Sequence, residues 1–411
     1  MVKLLDSIVR RYKVQAWRRQ GRRFYVCHVA HENDRAATTI ISEYFKQAGI
    51  DFRVIEFGPN GNRPELKECL DDRTIAILGY NQQLDNSWIN EENFITATVK
   101  KNIPVIQLIL DHPSSRWPAF VNNPTAFNVR YTLVSDYCRR YFHRYCLPTA
   151  RTAVISAPFF PGGRVHTLTR EAFLGRNIPC LIPLNLRRIG GTQEEVEAQI
   201  GKLDREIQEA AREAIASARF DLENPREVHL EESLKRRGRK IPNALMHTCS
   251  RIVEDMTHIW RRRRVFEIAA QFPVLIQTDL PPPELLPNAV ASFRSTPEWT
   301  NHEATLARIK SCRSVLSVSL ANDALHDRTA SAINAGCAPI VEDNVIHRHV
   351  FEPGENALFF RYDDDSLRRC LETVCNDPEH AYAIARAAMP LRDKASIRYV
   401  GFHNILDFAI K

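Results

Sequence analysis

The residues best suited to chemistry lie in one stretch, 326–344, whose sequence is HDRTASAINAGCAPIVEDN. Asp327 is placed as a helix N-cap, where its carboxylate would accept hydrogen bonds from free backbone amides. Arg328 and Thr329 follow in the first helical turn, and His326 precedes the cap. Such a turn presents unpaired amides and a partial positive charge, so the chemistry it favours is the binding of phosphate.

The second half of this stretch brings oxygen and amide groups to a strand end. The pattern predicts a helix over 328–335, a left-handed Gly336 after it, and an apolar strand over 338–341. Three polar residues follow this strand directly: Glu342, Asp343 and Asn344. Since ligands of open α/β sheets bind outside the carboxyl ends of strands, these side chains are candidates for binding sugar hydroxyls. The alternative is an ordinary capped helix followed by a polar loop.

A second candidate for chemistry follows an apolar run over 103–110. The residues Asp111, His112 and Pro113 end this run. His112 is suited to act as a general base on an acceptor hydroxyl, with Asp111 orienting its ring. The alternative is a loop histidine beside a proline that ends a strand. Three further polar residues follow an earlier apolar run: His31, Asn33 and Asp34.

Alternating strands and helices must position these residues. Apolar runs predict six strands in the first half, over 23–30, 52–57, 74–80, 103–110, 131–135 and 153–157. Five more are predicted in the second half, over 178–184, 274–277, 314–319, 338–341 and 358–362. Helical segments between strands favour parallel sheets with right-handed crossovers. We therefore expect an α/β protein with two Rossmann-like domains whose strand ends face each other across a cleft.

The first strand-to-helix loop lacks a GxGxxG fingerprint, which argues against a dehydrogenase and leaves nucleotide binding to the second domain. That domain is predicted to hold one long helix over 194–220, a charged loop over 221–240 and a helix over 243–271. The helix 243–271 contains four consecutive arginines, Arg261 to Arg264. Because they point in all directions, at most two of them would face any one site.

The composition is that of a globular protein in a reducing compartment. The 411 residues are 44% hydrophobic and 26% charged, with a net charge of +7. No apolar run reaches the length of about 18 residues that spans a membrane. The ten cysteines include no CxxC pair, so we expect reduced thiols in a cytoplasmic protein. No nucleic-acid-binding motif is present, and we expect no nucleic-acid partner.

The amino-terminal segment is strongly basic. Residues 1–23 carry eight lysines and arginines against Asp6 alone. Four apolar residues fall at helical spacing on one side: Leu5, Ile8, Val9 and Tyr12. This pattern fits a helix packed on the first domain, and it also fits a peripheral contact with the inner face of an anionic membrane.

The stretch 326–344 continues as FEPGENALFFRYDDDSLRRCLETVCNDPEHAYAIARAA over 351–388. Together they resemble the carboxyl-terminal domain of the GT-B glycosyltransferases, and the CgeB-like group in particular. The resemblance implies four segments: a basic amphipathic helix over 1–22, an acceptor domain over 23–165, a nucleotide-sugar domain over 166–398 and a crossover helix over 399–411.

The same resemblance implies a glycosyltransferase that moves a hexosyl or N-acetylhexosaminyl group. The donor would be a nucleotide-diphosphate sugar, and the acceptor a surface polysaccharide, a lipid-linked glycan or a protein. We expect Arg328, Thr329 and the helix amides to stabilise the leaving diphosphate, with Arg187 or Arg188 assisting. No cofactor or metal is expected, because Asp363, Asp364 and Asp365 fit a helix cap better than a metal-binding DxD.

The sequence departs from the family pattern at one place. Many retaining GT-B enzymes carry two glutamates spaced E-x7-E, and the corresponding positions here are Asp323 and Ser331. Glu342 or Asp343 would have to replace the glutamate that binds ribose. The departure keeps two alternatives open, a GT-B-like scaffold that binds glycan or a partner without turnover, and a sugar-nucleotide epimerase.

Overall fold

The computed structural model describes residues 12–29, 32–58, 61–80, 83–85, 87–109, 112–116, 128–155, 167–184, 192–278, 294–297, 302–318, 325–393 and 405. The chain divides into two compact units. The first unit comprises Met1–Phe160 and Tyr399–Lys411, and the second comprises Pro161–Arg398.

A six-stranded parallel sheet forms the centre of the first unit. Its strands are β1 Arg23–Val29, β2 Phe52–Phe57, β3 Thr74–Tyr80, β6 Val105–Ile109, β7 Val129–Leu133 and β8 Arg151–Val154. The strand order is β2-β1-β3-β6-β7-β8. All six predicted strands are confirmed.

A small hairpin, β4 Trp88–Ile89 and β5 Glu92–Asn93, was not predicted. It occupies the start of a region whose pattern is helical. Asn90 turns the chain here with a positive φ of 57°, which asparagine tolerates better than most residues. The Asn93 side chain then caps the following helix by accepting from the backbone amides of Ile95 and Thr96.

Helices flank this sheet. They are α1 over 12–19, α2 Glu32–Ala48, α3 Phe94–Lys100 and α4 Asp136–Tyr141, with 3-10 turns at Pro64–Leu70 and Pro113–Arg116 and a π-turn at Phe142–Cys146. Trp17 of α1 packs edge-to-face on Phe24, with ring centroids 5.9 Å apart. Tyr12 is 75% exposed. Leu5, Ile8 and Val9 lie outside the described residues. In the described part of this segment, α1 therefore packs on the sheet through Trp17.

The second unit contains another parallel sheet of six strands. They are β9 Ile178–Pro183, β10 Leu275–Thr278, β11 Arg294–Pro297, β12 Cys312–Ser317, β13 Ala338–Glu342 and β14 Leu358–Phe360. The order is β11-β10-β9-β12-β13-β14, so the direction of winding reverses between β9 and β12. In such sheets the reversal opens a ligand crevice at the carboxyl ends of the two strands. The five predicted strands are confirmed, and β11 is additional.

Ten helices are described in the second unit. They are α5 Arg170–Leu174, α6 Gln193–Ile200, α7 Arg205–Ala218, α8 Arg226–Arg236, α9 Asn243–Ala269, α10 His302–Lys310, α11 Asp327–Asn334, α12 Val345–Val350, α13 Asp364–Asn376 and α14 Pro378–Ala388, followed by a 3-10 turn at Met389–Asp393. The predicted helices around 243–271 and 328–335 are confirmed. None of the described helices is long and apolar enough to cross a membrane.

Two predictions about the helical layer are wrong. The single helix over 194–220 breaks at Gly201, which ends α6, and Asp204 starts α7 in extended conformation. The charged segment 221–240 holds α8 instead of a loop. Its Leu230 and Leu234 are buried at helical spacing, while charged side chains cover its other faces.

The long helix α9 supplies much of the core of the second unit. Val265, Phe266 and Ala269 pack with Ile182 and Ile340 of the sheet. On the opposite side of the sheet, Ala332 and Ala335 of α11 pack with Leu181 and Val315. The sheet is thus covered by α9 on one face and α11 on the other, and α11 reaches the strand ends at the β9/β12 reversal.

Candidate functional site in the second unit

The start of α11 is bonded to the end of β9, next to the point between β9 and β12 where the direction of winding changes. Nη1 of Arg328, in the first turn of α11, donates to the carbonyl oxygen of Pro183, the last residue of β9, at 3.0 Å. Arg328 is half-buried. The amides of this first turn therefore lie at the carboxyl end of the sheet, where the sequence predicts phosphate binding.

The N-cap of α11 differs from the prediction. His326, not Asp327, is the capping residue, with φ −79° and ψ 142°. Its Nδ1 accepts from the backbone amide of Arg328 at 3.2 Å. The side chain of Asp327 lies outside what is described, and its backbone begins the helix. Because Nδ1 can accept only through a lone pair, this cap requires that nitrogen to be unprotonated.

The other end of α11 is held by Arg176. Gly336 follows the helix with φ 65°, as predicted, and a Cβ there would come within 3.0 Å of Leu168. The Arg176 guanidinium donates to the carbonyls of Ala335 and Gly336 at 2.9 Å each, and to that of Cys312 at 2.8 Å. A cation at this position also complements the helix dipole.

Glu342, the last residue of β13, is fully buried. Its Oε1 accepts from the hydroxyl of Tyr362. Its Oε2 is buried and receives no hydrogen bond from any residue that the structure describes. Burial, and then the charge of Glu342, raise the pKa of Tyr362 well above its ordinary value, so the phenol stays protonated and donates. One carboxylate oxygen is thus held, and the other can accept from a ligand.

More buried polar atoms lack a partner among the described residues at this edge of the sheet. They are Oγ1 of Thr329, Oγ of Ser317 and Nδ2 of Asn344. Ser317 ends β12 and pairs in register with Val341 of β13, so Ser317 and Glu342 lie at the same edge of the sheet. Thr329 lies in the first turn of α11, and Asn344 follows β13 by two residues. Folded proteins pair more than about 90% of their buried polar groups. A concentration of unpaired atoms at a sheet switch point marks a place for a polar ligand.

The other two predicted residues at this strand end have structural partners. Asp343 forms ion pairs with Nε of Arg348 at 3.1 Å and Nη2 of Arg361 at 2.8 Å. Asn344 caps α12 by accepting from the His347 amide at 2.9 Å. Of Glu342 and Asp343, the two residues proposed to replace a ribose-binding glutamate, Glu342 is the one with an oxygen to offer.

His347 is a residue that sequence reasoning missed. It is fully buried, and its Nδ1 lies 2.8 Å from the carbonyl oxygen of Glu342. Burial lowers the pKa of His347 to about 4, so the ring is neutral near pH 7 and donates from Nδ1. His347 therefore braces the backbone that presents the Glu342 carboxylate. Its position five residues after the strand end gives no sequence signal for this contact.

Two buried arginines, Arg261 and Arg226, belong to the surroundings of Tyr362 and Glu342. The Arg261 guanidinium lies 4.9 Å from the ring centroid of Tyr362 and donates to the carbonyls of Ala218 and Asp221 at 2.8 and 2.7 Å. Arg226 is also buried, and burial lowers the pKa of its guanidinium, while the charges of Glu254 and Glu342 oppose that shift. Arg261 is the first of the four consecutive arginines, and its part is structural.

The remaining predicted site residues belong to the first unit or lie outside the described residues. Arg187, Arg188 and Asp111 lie outside the described residues. His112, in the first unit, is half-buried, with Nδ1 2.8 Å from Oγ of Ser114 and its ring centroid 4.7 Å from that of Tyr141. The side chains of His31, Asn33 and Asp34 are outside the described part of the chain.

The three consecutive aspartates behave as the helix-cap interpretation predicts. Oδ1 of Asp363 accepts from the backbone amide of Ser366 at 2.6 Å and caps α13. Asp364 forms an ion pair with Arg264. Within the described ranges, no group of three histidine, cysteine, aspartate or glutamate side chains is arranged to hold a metal ion.

Comparison with known proteins gives a partial match to one family model and a shared fold. Residues 285–399 match the family model described as glycosyl transferase-like. HepE from Anabaena is 12% identical, with a TM-score of 0.50 over 93% of this chain and 99% of HepE. The chain has the GT-B fold. A second GT-B structure, sucrose-phosphate synthase from Thermosynechococcus elongatus, is 10% identical, with a TM-score of 0.52 over 95% of this chain and all of that one.

The GT-B fold confirms the predicted α/β class, the two parallel sheets and the resemblance to glycosyltransferases. No curated protein matches the chain in sequence. The CgeB-like group therefore stays a prediction, as do the roles of the individual site residues.

Proposed function

We propose that this GT-B protein transfers a sugar from a nucleotide-diphosphate sugar to a glycan, a lipid-linked glycan or a protein, without a cofactor. The observation that carries the proposal is Glu342, buried at a strand end with one oxygen held by Tyr362 and the other unpartnered among described residues. HepE, which shares the fold, was crystallised with UDP and glucose. We infer a donor of the same chemical kind here.

In this proposal the first turn of α11 binds the diphosphate. The helix amides, Arg328 and Thr329 would face the phosphate oxygens, and Arg187 would assist. A guanidinium has five donors, so Arg328 can hold the Pro183 carbonyl and a phosphate oxygen at once. Charge that develops on the leaving diphosphate would be stabilised by these fixed donors. Glu342 would accept from a hydroxyl of the donor.

The acceptor side of the proposal rests on the first unit. We propose His112, oriented by Asp111, as the base that accepts the proton of the attacking hydroxyl. The transferred group would be hexosyl or N-acetylhexosaminyl. We place the protein in the cytoplasm, where Arg18 and Arg19, both exposed on α1, would favour contact with an anionic membrane face.

Nucleotide is expected to bind the second unit alone. A panel of nucleotide-diphosphate sugars should identify one that raises the melting temperature of the full chain, since a ligand at 100 times its Kd stabilises by about 2.7 kcal/mol. Hydrogen exchange with that donor should show protection within 326–344. Protection at residues 31–35 instead would contradict the assignment. Binding without release of nucleoside diphosphate would favour a scaffold over an enzyme.

Transfer is expected to survive EDTA. The physical reason is that Arg328 and the amides of α11 supply positive charge where a diphosphate would lie, and the aspartates 363–365 are engaged as a cap and an ion pair. The measurement is the initial rate of nucleoside diphosphate release with and without chelator. A rate that collapses in EDTA and returns with Mg²⁺ or Mn²⁺ would show that a metal performs this task.

A further inference from the structure

A cavity of about 450 Å³ lies in the second unit, among the helices that connect β9 to β10 and the segment after β14. Its apolar wall consists of Met256, Ile259 and Trp260 on α9, with Phe220 at the end of α7. The volume is within the range of about 300–1,000 Å³ that is usual for small-molecule pockets. The proposed donor site, at the carboxyl ends of β12 and β13, does not account for this cavity.

The aromatic residues of this cavity are unusually placed. Phe220 is 59% exposed, yet its ring packs against that of Trp260, with centroids 4.8 Å apart in a T-shaped arrangement. The Arg219 guanidinium lies 5.5 Å from the Trp260 ring centroid, and its Nε is buried without a hydrogen-bond partner in the described structure. The exposed Phe220 ring, the partly buried Trp260 ring and the unpaired donor of Arg219 offer a ligand both an apolar face and a hydrogen bond.

The charges around the cavity cancel. Arg264 pairs with Glu267 at 3.1 Å and with Asp364, and Arg263 donates to Gln193 at 3.0 Å. The lining therefore carries as many carboxylates as guanidiniums and shows no positive excess that would select a phosphate. Polar side chains and two aromatic rings in one lining suit a ligand with one apolar face and many hydroxyls.

We propose that this cavity binds a neutral oligosaccharide, with one sugar ring against Trp260 and Phe220 and its hydroxyls bonded to the Arg219, Arg263 and Glu267 side chains. The site differs from the donor site, although Tyr362, which bonds to Glu342, also lines this cavity. Binding here does not depend on sugar transfer, since a non-catalytic scaffold would bind in the same way. Held here, a glycan that the protein acts on would stay attached between encounters at the donor site.

The test uses the full chain and three neutral trisaccharides: maltotriose, cellotriose and triacetylchitotriose. Saturation-transfer NMR and calorimetry should detect binding of at least one of them at millimolar concentration. Phe220→Ala should weaken it by roughly 2- to 12-fold, because an aromatic contact is lost. Since Phe220 is largely exposed, this variant should fold normally. Tyr12→Ala, which removes an exposed aromatic of the first unit, is the matched control and should bind as the wild type does.

Three results would overturn the proposal: no binding of any trisaccharide, equal binding by Phe220→Ala, or displacement of the saccharide by UDP. Displacement by UDP would place the sugar in the donor site instead. If the donor proposal alone is wrong, the protein would still bind a trisaccharide, but no nucleotide sugar would bind or turn over.

Discussion

Replacing Arg328 with alanine is expected to lower kcat/KM for sugar transfer by about 10- to 150-fold. A hydrogen bond to a charged group is worth about 1.5–3 kcal/mol, and each 1.4 kcal/mol is a factor of ten. The loss would be larger if the diphosphate charge that Arg328 meets develops only in the transition state. The measurement is turnover of the donor identified by the nucleotide panel.

The structure adds a stability effect to this variant. From the sequence, Arg328 is expected to be a surface residue whose removal leaves packing intact. Its contact with the Pro183 carbonyl makes it part of the junction between α11 and β9, so we expect a loss of about 1 kcal/mol in unfolding free energy as well. Arg205→Ala is the matched control, since that side chain is 91% exposed. Near-normal turnover of Arg328→Ala would show that α11 is only a capped helix without a role in diphosphate binding. That result would favour the non-catalytic scaffold.

Replacing Asp85 with asparagine is expected to remove a large pH dependence of the unfolding free energy of the first unit. Asp85 is 4% exposed, and its Oδ1 accepts from Nε2 of Gln107 at 2.9 Å. Burial raises the pKa of Asp85 from 3.8 to about 7, so the folded state favours the neutral carboxyl. The stability this provides is complete below pH 3.8 and is lost as pH rises through about 7. At 1.36 kcal/mol per pKa unit the change is about 4 kcal/mol.

Asparagine keeps the acceptor for Gln107 and cannot ionise, so the variant should be the more stable protein at pH 8. Hydrogen exchange at β3 and β6, measured from pH 5 to 8 and corrected for intrinsic rates, reports on the first unit alone. This separation matters because burial also raises the pKa of Asp255, in the second unit, to about 7. Asp72→Asn, whose side chain is 92% exposed, should follow the wild type. If the stability of Asp85→Asn changes with pH as steeply as that of the wild type, the Asp85 carboxyl must be ionised in the folded protein.

The strands were predictable because buried parallel strands are continuous apolar runs. TIAILGY over β3 and APIVE over β13 are of this kind. β11 was not predictable in this way, since its sequence is RSTP and only pairing with β10 makes it a strand. The helix α8 was missed because its charges obscured the spacing of Leu230 and Leu234.

The backbone of the candidate site was predictable, and its side-chain partners were not. The helix start, Gly336 and the strand end at Glu342 follow from local spacing. The cap was assigned to Asp327 because aspartate is a preferred capping residue, whereas the adjacent His326 performs this role. The bond from Tyr362 to Glu342 joins residues from different strands, and local patterns carry no information about such a contact.

The guanidinium of Arg176 has a consequence for affinity. Its three carbonyl partners come from the end of α11 and from the first residue of β12, so the register of the helix against the sheet is set during folding. The helix is therefore already ordered before a donor binds. Binding then carries no further cost in conformational entropy for ordering it. If the first turn of α11 binds phosphate as we propose, the affinity at that end of the helix would depend on an arginine that binds its opposite end.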